Sequence, residues 1–236
     1  MDPKSLKEIN EARRARRAVI LVTDLTDGSD RVVRENDRVS GGLAEPVAKA
    51  FRSGKSGTVE SDGRKHFLNV HLPPPRLVVI GAVHISQALA PMARIAGYDI
   101  EIIDPRTAFA TPDRFPDVPL HADWPETVLK DRPFDPYTAV AAVTHDPKID
   151  DIPLKAALDA GCFYVGALGS RKTHGKRVER LMAMGLAREA IERIQAPIGL
   201  DIGAASPAEI AVAVLAQVIA AFRSRGLAEE EKSRAA

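Results

Sequence analysis

The spacing of hydrophobic and polar positions changes once along the chain, at the three prolines Pro73–Pro75. Before them, LKEINEARRARRA has helical spacing, AVILVTDL and RVVRE read as strands, and TVES and RKHFLNVHL flank Asp62-Gly63, a pair that favours the tight turn of a β-hairpin. A further helix is predicted over LAEPVAKAF. Residues 1–75 are therefore expected to form a small, mainly β domain. The prolines hold the chain extended and mark its boundary.

After the prolines the pattern alternates. RLVVIGA leads into the helical ISQALAPMARIAG, and YDIEIID, VPLHA, TAVAAVTH, CFYVGALG and PIGLDIG are further short apolar runs separated by helical or loop segments. Strands that are apolar on both sides belong to a parallel sheet covered by helices on both faces. The fold class expected is α/β, with a doubly wound Rossmann-like parallel sheet over residues 76–226 beside the small N-terminal domain. Such a sheet places its chemistry beyond the carboxyl ends of the strands, at the point where strand order reverses. SPAEIAVAVLAQVIAAFRSRG is apolar enough to be a core helix or a self-association surface, and residues 227–236 read as a charged tail.

Composition narrows the function classes. A chain of 236 residues, 45% hydrophobic, buries one good core and has room for a smaller annex. A formal net charge of +1 gives no general attraction to nucleic acid or to a membrane surface. The single cysteine, Cys162, excludes an internal disulfide and a multi-cysteine zinc or iron–sulfur site. No apolar run reaches the roughly 18 residues a membrane span would need, and the N-terminus lacks a signal-peptide core. A soluble, cytoplasmic protein is expected.

Three loops carry the candidate chemistry. The first is GAVH, Gly81 to His84; Val83 stands where the second glycine of a dinucleotide loop lets pyrophosphate approach the backbone. The next strand ends in IIDPR, which places Asp104 for a ribose hydroxyl and Arg106 for a phosphate. The second loop carries Thr144, His145 and Asp146. The third, ALGSRKTHGKR, runs from strand to helix through Gly169 and Ser170, with Arg171, Lys172, His174 and Arg177 in the first turns. A helix N-terminus with a basic cluster makes an anion site. Each feature also has a plain structural reading: GAVH as a turn, His84 as a packing residue, His145 and Asp146 as a helix cap, Cys162 as a small buried hydrophobe. Basic residues at a helix start oppose its dipole, so a bound anion explains GSRKTH better than a merely solvated turn.

Taken in order, GAVHISQALA, IIDPR, THD, GALGSRKTH and PIGLDIGAASPAEIAVAVLAQVI resemble the Rossmann domain of the XdhC/CoxI family, accessory proteins of molybdenum hydroxylases. The resemblance implies a non-catalytic chaperone that binds the molybdenum cofactor (molybdopterin), protects it through sulfuration and hands it to an apo molybdenum hydroxylase. The basic helix start predicts a phosphate held by Gly169, Ser170, Arg171, Lys172 and His174, with His84, Asp104, Thr144 and His145 lining the rest of the cleft and Gly81 and Arg106 beside them. The chain departs from the family pattern in three places, one of them the family's N-terminal G-S-x-P stretch, which Asp27–Asp30 (DGSD) only faintly echoes. The family has G-A-G-H where Val83 stands, and its G-G-C-x-E motif is Gly41-Gly42-Leu43-Ala44-Glu45 here, so no thiol role transfers and a sulfur-donating desulfurase is expected as partner. A homodimer through the last helix is expected. Two other readings stay open: an NAD(P)-binding oxidoreductase keeping Gly81 and Asp104, and a scaffold that retains the fold without a ligand.

Overall fold

The computed structural model describes residues 1–225, and the charged tail 227–236 lies outside the described residues. The described residues divide into two compact units, Met1–Pro73 with Arg223–Arg225, and Pro74–Phe222. Sequence pattern alone groups Arg223–Arg225 with the strands before them; in the structure Arg225 pairs with Glu35 at 3.6 Å.

In the first unit, helix α1 (Pro3–Arg14) starts where the Asp2 carboxylate accepts from the Lys4 N–H. Strands β1 (Val19–Asp24) and β2 (Asp30–Arg34), helix α2 (Ala44–Ser53), and strands β3 (Gly57–Ser61) and β4 (Arg64–His71) follow. The strands form one antiparallel sheet in the order β2-β1-β4-β3. The predicted hairpin is present: Ser61 faces Arg64 across the turn, and Asp62 and Gly63 both have positive φ. Ile9 and Ala12 of α1 bury against Val19 and Leu21 of β1.

The second unit contains strands β5 (Arg76–Ile80), β6 (Asp99–Ile103), β7 (Leu120–His121), β8 (Thr138–Ala142), β9 (Tyr164–Ala167) and β10 (Ile194–Gln195). Its helices are α3 (His84–Ile95), α4 (Pro125–Asp131), α5 (Pro147–Asp159), α6 (Arg171–Ala183), α7 (Arg188–Ile191) and α8 (Pro207–Ser224). All pairings are parallel, in the order β10-β9-β8-β5-β6-β7. Counted from β5, this is the 3-2-1-4-5-6 order of a doubly wound sheet, and it reverses between β5 and β8.

Every residue of β5 is buried, and the twofold alternation of a strand explains why both sides must be apolar. Leu77 and Val79 face one cluster with Leu89 and Ala93 of α3 and Val214 and Val218 of α8. Val78 and Ile80 face the other, with Leu154 and Leu158 of α5 and Leu181 of α6. Each fully buried Val, Leu or Ile contributes roughly 1.5–3 kcal/mol, so these two interfaces hold the sheet between its helices.

One expected strand is absent. PIGLDIG is apolar, yet the sixth strand is the two-residue β10 just before it, paired to Val165 and Gly166. Pro197 has no N–H to continue a ladder. The segment instead lies along α8, where the Gly199 N–H donates to Gln217 Oε1 at 2.8 Å and the Leu200 N–H to the Ala213 carbonyl at 3.1 Å. Helix α8 is long and apolar enough to cross a membrane by length and composition, against the expectation that no apolar run reaches that length. Core helices share that property, and α8 buries Ala211, Ala213, Val214, Leu215 and Val218.

Candidate functional site

The carboxyl ends of β5, β8 and β9 carry the three loops singled out above. After β5, the Gly81 N–H donates to the Ile103 carbonyl at 2.8 Å, and φ is +122°. A Cβ here would stand 2.9 Å from Thr144 Cγ2 and 3.2 Å from Val143 Cγ2. Glycine is therefore required by close packing of β5 against the end of β8, whatever its relation to a ligand.

Internal bonds close the rest of this turn. Asp104 is fully buried; its Oδ2 accepts from the Ala82 N–H at 2.7 Å and from Arg106 Nη2 at 2.7 Å, while Oδ1 accepts from Arg106 Nε and the Arg106 N–H, each at 2.9 Å. Burial alone raises the Asp104 pKa, but the bonds from Arg106 and Ala82 outweigh it and hold the carboxylate below its usual range. Asp104 thus faces inward and Arg106 folds back onto it, where the sequence pattern placed them for a ribose hydroxyl and a phosphate. Arg114 donates to the Ala82 and Phe109 carbonyls at 2.9 and 2.7 Å and adds a second clamp. Val83 is the N-cap of α3 and packs on the core, and His84 is exposed at the first turn.

The second loop orders the start of α5. His145 has φ +64°, a turn histidine tolerates better than most residues, and the reversal lets the Asp146 side chain accept from the Lys148 N–H at 2.9 Å. The plain reading of Asp146 as a cap therefore fits its position. Thr144 accepts from the Asp146 N–H at 3.0 Å and donates to Asp150 Oδ1 at 2.7 Å. In the third loop Ser170 caps α6, accepting from the Thr173 N–H at 3.2 Å.

Between α5 and α6 lies a cavity of about 320 Å³. Lys172, Thr173, Lys176, Arg177 and Arg180 reach it from α6, because Lys172, Lys176 and Arg180, and beside them Thr173 and Arg177, are each spaced four apart in adjacent rows on the helix. Pro147, Asp150 and Asp151 reach it from α5 by the same rule, and His145 from the loop before. Asp151 and Arg180 close a two-point ion pair, with Arg180 Nε on Oδ2 and Nη2 on Oδ1 at 3.1 Å. Asp150 and Arg177 are 1% and 2% exposed, and Arg177 Nη2 donates to the Leu168 carbonyl at 2.9 Å. Yet Asp150 Oδ2 and Arg177 Nε and Nη1 make no hydrogen bond. Burial pushes the Asp150 carboxyl up to about 6 and lowers the Arg177 guanidinium, each partly offset by attraction to the other. His174 is pushed down by burial and by Arg177.

Of the predicted residues, then, the cavity gathers His145, Lys172 and Arg177, with Thr144 behind them on Asp150. Gly169, Ser170, Arg171 and His174 shape the neighbouring helix start, while Gly81, His84, Asp104 and Arg106 belong to the separate turn after β5. Sequence reasoning missed Asp150, Asp151, Lys176 and Arg180 as lining residues. The available signal was a charged residue on an apolar stripe: Asp150 precedes buried Pro153 and Leu154 by three and four positions, and Arg177 precedes buried Leu181 by four.

Residues 77–218 match the model of the XdhC Rossmann domain. The chain is 34% identical over 146 residues to the molybdenum cofactor insertion chaperone PaoD of Escherichia coli, covering 62% of this chain and 40% of PaoD. It is 32% identical over 148 residues to a probable xanthine dehydrogenase subunit of Bacillus subtilis, covering 62% and 43%. A solved structure described as a xanthine dehydrogenase from Bacillus halodurans aligns with a TM-score of 0.62 at 25% identity, over 94% of this chain and 65% of the other. The chain spans less than half the length of the curated relatives it matches. With the family model covering more than half of the residues, and the strand order of a doubly wound sheet beneath it, the chain belongs to the XdhC Rossmann domain family.

Proposed function

We propose that this chain serves the maturation of a molybdenum hydroxylase, holding the molybdenum cofactor and releasing it to the apo-enzyme without transforming it itself. The observation that carries this reading is the cavity between α5 and α6, lined by Lys172, Lys176 and a buried Arg177 with unpaired donors, in a chain of this family. A relative that shares its Rossmann sequence is named a molybdenum cofactor insertion chaperone.

The residues fit the group in kind. Molybdopterin is a flat pterin with a terminal phosphate, and the basic face of α6 offers cations to that phosphate beside the start of a helix. When bound, the cofactor supplies the metal and its dithiolene sulfur. Lys172, Lys176 and Arg177 would hold the phosphate, and His145, with Thr144 fixed on Asp150, would orient what lies beyond it. Cys162 is fully buried and its thiol is pushed up to about 12 by burial, so it stays protonated and out of reach; sulfur is assigned to a partner desulfurase. A modest affinity suits handover, because a cofactor held too tightly does not leave.

Separate titrations of the purified chain with molybdopterin and with NADPH test the proposal. Saturable molybdopterin binding is expected. NADPH binding without molybdopterin binding overturns it in favour of the oxidoreductase, and no binding of either favours the ligand-free scaffold. The sealed turn after β5 opposes the dinucleotide outcome, since the Ala82 N–H and both oxygens of Asp104 are already engaged.

A further inference from the structure

Two acid–base pairs face each other across α5 and α6. The outer one, Asp151 with Arg180, is closed; the inner one, Asp150 with Arg177, is held open although both residues are almost fully buried. Buried charged groups ordinarily satisfy their hydrogen-bonding atoms, so unpaired donors at the wall of a cavity indicate a group that enters from outside. The lining carries Lys172, Lys176, Arg177 and Arg180 against Asp150 and Asp151, an excess of two positive charges. A dianion neutralises it.

We propose that this gap receives a doubly charged tetrahedral oxyanion, the phosphate monoester of a larger ligand or a free oxyanion, which binds the unpaired N–H groups of Arg177 with Lys172 and Lys176 at the mouth, in competition with the Asp150 carboxylate. This deepens the maturation reading and rests on it only for the identity of the larger ligand. Arg177 is the anchor because it is buried and already oriented by the Leu168 carbonyl, whereas Lys172 and Lys176 are exposed. As the oxyanion enters it places negative charge beside Asp150, whose easiest response is to take up a proton. Its raised pKa makes that response accessible near neutral pH. The charged and titratable groups facing Asp150 are Arg177, Arg180, Lys172 and Lys176 from α6, Asp151 from its own helix, His145 before that helix, and Arg106 after β6. His145 also lines the cavity and needs its own control.

Calorimetric titration with sulfate, which keeps both charges from about pH 5 to about pH 8, reads the site without a pterin. Sulfate should bind, and weaken as pH rises through about 6. Arg177→Gln should weaken it about tenfold or more. Asp150→Asn should bind about tenfold tighter than the parent chain at about pH 8 and show a flattened pH dependence, an increase that misfolding does not produce. His145→Gln should keep most of the pH slope. Phenyl phosphate binding more tightly than inorganic phosphate identifies a ligand-borne monoester, and the reverse order identifies a free oxyanion. No sulfate or phosphate binding, or Asp150→Asn binding no tighter than the parent, overturns the proposal. Molybdopterin binding unchanged by both Arg177→Gln and Asp150→Asn also overturns it while leaving the maturation reading in place. Oxyanion binding with the predicted variant pattern but no molybdopterin affinity supports it and removes that reading.

Discussion

The turn after β5 and the cavity between α5 and α6 each contain a buried aspartate near an arginine, and they use them in opposite ways. Asp104 and Arg106 close on each other with two-point geometry, and the remaining capacity of the carboxylate goes to backbone N–H groups. Asp150 and Arg177 are buried as deeply but leave three polar atoms without hydrogen bonds. The first arrangement holds a loop in place. The second keeps charge in reserve at the wall of a cavity. Readiness for a ligand is therefore shown by which donors remain unengaged, and the position of a motif at the end of a strand does not settle it.

The strongest test of that contrast removes the clamp. Asp104→Ala leaves the buried Ala82 N–H unpaired and frees the half-buried Arg106 guanidinium, and is expected to cost about 3–4 kcal/mol in urea unfolding. Gly81→Ala forces a Cβ against Thr144 Cγ2 at 2.9 Å with φ at +122°. A loss of about 2–3 kcal/mol is expected from the same measurement. A loss below about 1 kcal/mol for either variant would show that the turn after β5 is not sealed as described.

In the cavity the sign reverses. The folded-state pKa of Asp150 is raised to about 6 from 3.8, so the fold favours the protonated form. That contribution is fully present below the unfolded value and is lost as pH rises through about 6. Asp150→Asn should accordingly stabilise the ligand-free chain by about 2 kcal/mol near pH 8, with the thermal unfolding curves of the two proteins converging below about pH 4. A variant less stable than the parent at pH 8 would mean that the carboxylate is held in place by attraction to Arg177, and the two regions would then be alike.

Much of the architecture is legible from residue pattern because fully buried parallel strands have a distinctive composition: RLVVI and TAVAA have apolar residues on both faces and little else. PIGLDIG misleads because apolarity does not record geometry: only Ile198 is buried, Leu200 and Ile202 are exposed on a segment hydrogen-bonded to α8, and the true strand, Ile194–Gln195, is too short to show a period. Candidate loops were legible as positions, and Lys172 and His145 do reach the cavity. Whether Asp104 faces a ligand or its own neighbour depends on the rotamer of Arg106 two residues later, which no spacing rule encodes. Asp150 was hidden in KIDDIPLK, where adjacent aspartates read as a solvated helix face until their register against Leu154 is counted.

Val83→Gly gives the smallest expected effect and the sharpest reading of the first loop, because it restores the glycine pattern of a dinucleotide site. The substitution removes a partly buried side chain from the core, but glycine is a better N-cap than valine, and the net cost should be about 1 kcal/mol. If valine alone bars pyrophosphate, the variant should acquire measurable NADH affinity. The closed turn predicts otherwise: the Ala82 N–H stays on Asp104, Asp104 stays on Arg106, and Arg114 still clamps the Ala82 carbonyl. NADH titration should therefore show no gain over the parent chain, while sulfate binding at the α5–α6 cavity is unaltered. A gain in NADH affinity of about tenfold would show that the seal yields to a ligand and that the valine, more than the aspartate–arginine clamp, keeps a dinucleotide out.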